Sequence, residues 1–234
     1  MRQVLTIAVA QPGCVSYDVA ANAVTHAAAV RAAGTRVVVF PELSLTGYQL
    51  DAPAISPEDP RLAPIAAACA DTGALALAGA PVPGQGGRSH IAMLAIDGTG
   101  ATVAYRKMWL GGAEPSRFSP GTKPAVLDVD GWRLGLAICK DTGVAQHASD
   151  TAALGIDAYV AGTVETADEK ALQDERARRI AAEYQVWVAV ASWAGSTGGG
   201  FHHAAGCSSI RAPGGALIAQ AGADPGALAR ATLT

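Results

Sequence analysis

Three residues with the side chains needed for covalent hydrolysis each follow directly on an apolar, strand-like run. "VVVF" leads through Pro41 to Glu42, "VAYR" leads to Lys107, and "LGLAI" ends on Cys139. Ligand sites of open α/β folds collect at strand ends, so residues this far apart in sequence can converge there. Their combined chemistry is coherent. A thiolate attacks a carbon bonded to nitrogen, a carboxylate takes the thiol proton and returns it, and an ammonium stabilises the oxyanion. Lys107 is expected to lower the thiol pKa and to hold Glu42 ionised. The backbone N–H of Lys140, next after the cysteine and near a helix start, is a candidate second oxyanion donor. Taken singly, each residue has a plainer reading: a solvated loop carboxylate, a surface lysine, a small buried hydrophobe.

Positioning three such residues requires strands that end together, and the pattern along the chain supplies them. Strands are expected at Leu5 to Ala10, Val37 to Phe40, Ala74 to Ala80, Ile91 to Ile96 and Thr102 to Tyr105, the last two joined by "DGTG". Further strands fall near Ala125 to Val129, Arg133 to Ile138, Ala158 to Ala161 and Val186 to Ser192. After the glycine-rich "GSTGGG" loop, two final hairpin-like strands are expected. Helices are read at Asp18 to Ala33, opened by Asp18 and stopped by Gly34, and at Leu62 to Asp71, Val144 to Leu154 and Ala167 to Tyr184. Strand–helix alternation interleaved with hairpins predicts mixed sheets, and residues 1–234 read as a single domain.

Composition narrows the function classes. The 234 residues are 50% hydrophobic and 16% charged, enough to bury a sizeable core, and the net charge of −3 with no basic stripe argues against nucleic acid. No apolar run approaches the roughly 20 residues that span a bilayer. The N-terminus imitates a signal peptide but reads as a first strand. Cysteines 14, 69, 139 and 207 lie far apart, which suits free thiols and a cytoplasmic location. Five scattered histidines show no metal-ligand spacing, and "GSTGGG" lacks the Gly-Lys-Ser/Thr of a phosphate loop, so neither metal nor cofactor is expected. A Cys–His arrangement using His147 or His203 is an alternative without a local signature. Trp109, Phe118, Trp193 and His203 are candidate pocket walls; the aromatic ones serve equally well as core or dimer residues.

"VVVFPELSLTGY" (37–48), "YRKMWL" (105–110) and "LGLAICKD" (134–141) resemble the three signature blocks of the carbon–nitrogen hydrolase, or nitrilase, superfamily, in that family's order and at about its spacing. The resemblance runs from "TIAVAQP" (6–12) to "GCSSIRAPGG" (206–215). It implies Glu42 as general base, Lys107 as the oxyanion-stabilising cation and Cys139 as nucleophile. "EPSRFSPG" (114–121) is similar to the block carrying a second glutamate, which makes Glu114 an auxiliary catalytic or substrate-positioning carboxylate. The implied fold is a four-layer α-β-β-α sandwich, two mixed sheets face to face with helices outside. The implied reaction is hydrolysis of a non-peptide C–N bond, a small amide first, through a thioester acyl-enzyme. N-carbamoyl amide or nitrile hydrolysis on the same triad are alternatives, and a non-catalytic ligand-binding protein is the alternative of another class. A homodimer packed through the helix after Cys139 and the 167–184 helix is expected.

Two departures stand out. Lys140 replaces an aromatic residue usual after the nucleophile, and Val144-Ala145-Gln146 with Ser149 replaces the usual Phe-Pro-Glu and arginine. These put the familiar substrate classes, rather than the fold, in question.

Overall fold

The computed structural model describes residues 3–234. In chain order the elements are β1 (Leu5–Ala10), α1 (Val19–Ala33), β2 (Val37–Val39), α2 (Ala63–Thr72), β3 (Leu75–Pro83), β4 (Ser89–Asp97) and β5 (Gly100–Arg106). The second half holds β6 (Val126–Val129), β7 (Trp132–Ile138), α3 (Ala145–Ala152), β8 (Ala158–Thr163), α4 (Lys170–Tyr184) and β9 (Trp187–Ser192). It closes with β10 (Ala194–Gly195), β11 (Ala204–Ala205), β12 (Ser209–Arg211), β13 (Leu217–Gln220) and β14 (Leu228–Leu233).

Two six-stranded mixed sheets form, in the orders β14-β1-β2-β3-β4-β5 and β13-β12-β9-β8-β7-β6. Strand periodicity sorts their side chains into layers. Leu5, Ile7 and Val9 of β1 join Leu134, Leu136 and Ile138 of β7 in the core between the sheets. Ala8 and Ala10, with Ala76, Ala78 and Ala80, face the other way, onto Ala23, Ala27 and Ala68 of α1 and α2. Ala137, Tyr159, Ala161 and Val188 similarly meet Ala177, Ile180 and Ala181 of α4. Large residues fill the sheet–sheet gap, and alanines let helices lie close to the outer faces. The result is a four-layer α-β-β-α sandwich.

Local signals behave as their chemistry requires. The Asp18 carboxylate accepts from Ala21 N at 2.9 Å and caps α1, and Gly34 ends that helix at φ 58°. The chain end differs from expectation. β12 and β13 form the anticipated hairpin, but β14 returns to the first sheet and pairs antiparallel with β1, Leu5 opposite Leu233. The apolar face of β1 needs a neighbour on its outer edge, and the last strand provides it.

Two glycines create the passage in which Glu42 lies. After Phe40 the chain leaves β2 between the sheets. A Cβ on Gly79 of β3 would lie 2.3 Å from Leu43 N and 2.5 Å from Pro41 O. On Gly162 of β8 it would lie 2.6 Å from Phe40 O and 3.1 Å from Glu42 N. Gly162 also pairs with Ile138, the residue before Cys139. Gly162→Ala is therefore expected to cost about 1–3 kcal/mol through overpacking, read as a lower urea midpoint. An unchanged midpoint would show that the 40–42 backbone is free to move away.

Candidate active site

Glu42, Lys107, Glu114 and Cys139 converge at the ends of β2, β5 and β7. Lys107 follows β5; its N–H donates to Ile91 O and its carbonyl accepts from Gly121 N. Its ammonium donates to Glu42 Oε1 and to Glu114 Oε1, both at 2.7 Å. All three side chains are at most 1% exposed. Glu114, on a short 3-10 turn (Glu114–Ser116), is the better satisfied acid: Tyr48 OH donates to Oε1 at 2.6 Å and Gly111 N to Oε2 at 2.7 Å. Glu42 Oε2 accepts no hydrogen bond, while the Cys139 thiol lies near enough to act on the carboxylate. Trp193 holds the Glu42 backbone, its indole N–H donating to Glu42 O at 2.6 Å.

Cys139 opens a 3-10 turn (Cys139–Gly143) directly after β7 and adopts φ 45°. This left-handed conformation costs a non-glycine residue about 1–3 kcal/mol and persists only where its surroundings impose it. Thr142 Oγ1 donates to Cys139 O at 2.8 Å, and the thiol donates to Val164 O at 3.3 Å. Sequence patterns carry no signal for this strain, beyond the abrupt end of an apolar run.

Burial changes the electrostatics expected from sequence. Desolvation pushes the Cys139 thiol well above its ordinary value; Glu42 adds to the rise, and Lys107 lowers it without compensating. Desolvation also raises Glu42, opposed by Lys107 and reinforced by Glu114. The Lys107 ammonium would itself be lowered by burial, but Glu42, Cys139 and Glu114 together hold it above its ordinary value. Lys107 therefore does not by itself lower the thiol, and burial makes the neighbouring carboxylate the more basic.

A cavity of about 520 Å³ opens over these groups, lined by Lys107, Glu114, Cys139, Lys140, Tyr48 and Phe201 among others. Tyr48 and Phe201 meet edge to face, centroids 5.2 Å apart. Glu165, Glu169 and Arg176 also line it, with Arg176 Nη1 2.5 Å from Glu165 Oε1. None of the four expected wall residues lies on this lining. Phe118 and Trp193 are buried in the sheet–sheet core, Trp109 packs on His147, and His203 is exposed. Sequence reading overlooked Tyr48 and Phe201, although "TGY" and "GGGF" place both beside loop glycines. His147 does not serve Cys139, since its two ring nitrogens meet Tyr105 and Tyr159 hydroxyls. Among the described residues no group of three His, Cys, Asp or Glu is placed to hold a metal ion, and no helix is long and apolar enough to cross a membrane.

A family model for carbon-nitrogen hydrolases matches residues 6–234. The chain belongs to the carbon–nitrogen hydrolase family. A protein described as a hydrolase in the pqqF 5′ region of Pseudomonas protegens is 32% identical over 220 residues, 88% of this chain and 75% of that protein. Nit3 of Saccharomyces cerevisiae, of branch 10 of the nitrilase superfamily, superposes with a TM-score of 0.87 at 23% identity, covering 99% of this chain and 90% of that one. An amidase of Nesterenkonia sp. AN1, solved with butyramide bound to a cysteine-to-alanine variant, superposes at 0.85 with 25% identity, over 98% of this chain and 90% of the other. The chain is thus a carbon–nitrogen hydrolase whose fold is shared with a solved amidase.

The opposed influences on Glu42 are separable. In a ¹³C-carboxyl NMR titration, Glu42 of the unaltered protein should titrate above the ordinary 4.5. Glu114→Gln removes a negative neighbour and should lower that midpoint, whereas Lys107→Met should raise it. A Glu42 midpoint unmoved by either change would mean that the three groups are not coupled.

Proposed function

We propose that the protein hydrolyses a small amide through a thioester on Cys139. The observation that carries this reading is the shared lysine, one ammonium bonded to Glu42 and Glu114 at the floor of the cavity onto which Cys139 opens. Glu42 takes the Sγ proton as sulfur attacks the amide carbon, forming the C–S bond. The Lys107 ammonium and the Lys140 backbone N–H hold the oxyanion. As the tetrahedral species collapses, the C–N bond breaks and Glu42 passes its proton to the departing nitrogen, releasing ammonia or an amine. Glu42 then takes a proton from the water that attacks the thioester carbon; the C–S bond breaks, the acid leaves, and Glu42 returns the proton to Sγ. A carboxylate of raised proton affinity suits transfer from a thiol whose own pKa burial raises. Glu114 positions Lys107 and the substrate.

A substrate without negative charge fits the site, where the lining charges are paired above the further carboxylate of Glu42. Lys107, Lys140 and Arg176 stand against Glu114, Glu165 and Glu169, three cations and three acids among the lining residues. The amidase that superposes on this chain has been seen with an amide bound, which favours amides over nitriles for the screen. The same reading takes residues 1–234 as one catalytic domain, cytoplasmic in keeping with four free cysteines. It also takes the protein as a homodimer whose α3 and α4 meet the partner. Leu154, just after α3, and Leu172 on α4 are large exposed apolar residues consistent with such a face. Light scattering at micromolar concentration should return twice the chain mass, and a monomer mass would remove the dimer.

Ammonia release from small amides, carbamoyl compounds and nitriles, with Cys139→Ala as blank, identifies a substrate. Hydroxylamine added during turnover should then trap the acyl group as hydroxamate. Cys139→Ser and Glu42→Gln should each lose roughly a hundred- to ten-thousand-fold in kcat. Lys107→Ala should fall steeply, and arginine at that position should not restore it, because a planar fork does not replace a compact ammonium. Near-normal hydrolysis by Cys139→Ser or Glu42→Gln would overturn the mechanism.

A further inference from the structure

Behind the Cys139 turn lies a chain of buried polar groups that the reaction steps do not use. Asp141, two residues beyond Cys139, is fully buried and accepts three hydrogen bonds. Ile138 N reaches Oδ2 at 2.9 Å, Trp109 N reaches Oδ1 at 2.9 Å, and Tyr105 OH reaches Oδ2 at 2.8 Å. Ile138 immediately precedes the strained cysteine. Tyr105 and Trp109 flank Lys107, two residues to either side. One carboxylate therefore fastens the Cys139 turn of the second sheet to the Lys107 segment at the edge of the first.

The groups beyond Asp141 have one consistent hydrogen-bond direction. An ionised carboxylate only accepts, so Tyr105 donates its hydroxyl proton to Asp141. The Tyr105 oxygen is then left to accept from His147 Nε2–H, 2.9 Å away. A neutral imidazole protonated at Nε2 has a bare Nδ1, which accepts from Tyr159 OH at 2.8 Å. Burial lowers the pKa of His147, in keeping with the neutral ring. All four side chains are at most 3% exposed, and they come from β5, the Cys139 turn, α3 and β8. Such a fully satisfied buried network specifies one geometry, since each lost link leaves a buried group unpaired.

We propose that Tyr105 and His147 are positioning residues: together with Tyr159 they aim the Asp141 carboxylate, which holds the Cys139 turn in register with Lys107. The inference rests on reading Cys139 as the nucleophile, but its test does not require the natural substrate. Tyr105→Phe removes one oxygen, and His147→Leu removes both ring nitrogens at similar bulk. The readouts are the rate at which iodoacetamide, itself a small amide, alkylates Cys139 in the folded protein, and kcat and KM on butyramide where that is turned over.

Each single variant should slow Cys139 alkylation and kcat by at least tenfold with KM within about twofold. The double variant should be no slower than the worse single one, because both cut the same relay. His147→Gln, which can donate to Tyr105 and accept from Tyr159, should recover part of the loss. Variants that melt earlier yet alkylate and turn over at the normal rate would overturn the proposal, as would multiplicative losses in the double variant. If His147→Leu does not fold, Tyr105→Phe decides alone. Absence of butyramide turnover with rapid alkylation at Cys139 in the parent protein bears on the proposed function; equal alkylation rates across the variants bear on the relay.

Discussion

One buried ammonium shared by two buried carboxylates is the constraint around which the structure is arranged. With Lys107, Glu42 and Glu114 all ionised, the cluster carries a net negative charge into a nearly water-free interior. Buried ionic groups bring large desolvation penalties, and hydrophobic replacements of similar volume are often at least as stable. The cluster is therefore not explained by stability. Its asymmetry explains it better. Hydrogen bonds concentrate on Glu114, from Lys107, Tyr48 and Gly111, whereas Glu42 receives one from Lys107 and keeps Oε2 without a partner. Two carboxylates on one lysine are thereby set apart, and the poorly satisfied one faces the thiol. Different surroundings for paired acids are the usual means of assigning them different roles.

The sandwich supplies that asymmetry through backbone placement. Strands β2, β5 and β7 deliver one charged or nucleophilic residue each, but only because the chain between Phe40 and Leu43 fits where Gly79 and Gly162 have no side chains. The Cys139 backbone is strained, and Thr142 and Asp141 restrain that turn through hydrogen bonds to Cys139 O and Ile138 N. Rigid elements thus bear the geometric demands, and the loops that carry Tyr48 and Phe201 supply the walls. Wall and floor meet at Tyr48, whose hydroxyl donates to Glu114 Oε1, whereas Phe201 meets the floor only through its edge-to-face contact with Tyr48.

How much of this was legible in the sequence depends on whether a feature is local. The strand ends that bear Glu42, Lys107 and Cys139 announce themselves by apolar runs broken by a polar residue, and Glu114 by its position in a loop block. Asp18 and Gly34 likewise mark a helix through chemistry confined to a few residues. Burial depth is not local. It reverses the expected direction for the Cys139 thiol, because desolvation outweighs the lysine beside it. Nor is aromatic placement local: Phe118 and Trp193 fill the sheet–sheet core, while the smaller segment around Phe201 reaches the cavity. The return of β14 to the first sheet depends on β1 having an open edge, which no window of sequence displays.

The unusual residues after Cys139 acquire a physical rationale from the helix beside them. A Cβ on Gly143 would lie 3.0 Å from Arg176 Nε and 3.1 Å from its guanidinium carbon, so the arginine of α4 occupies the space a side chain there would need. From that position it pairs with Glu165, whose carboxyl burial raises, opposed by Arg176 and reinforced by Glu169. Lys140, in place of an aromatic, lays its stem against Gly111 and donates from its ammonium to Leu110 O at 2.8 Å. Its charge is thereby carried to the cavity wall while its backbone N–H stays beside the cysteine. Gly143 leaves the room that Arg176 occupies, Arg176 pairs with Glu165, and the Lys140 ammonium stands at the same cavity wall as Glu169. The charges at the mouth are paired, above a floor that keeps the net negative charge of Glu42, Lys107 and Glu114. Discrimination among substrates without negative charge then falls to shape and to hydrogen bonds at individual atoms, where a misplaced polar group leaves a buried partner unsatisfied.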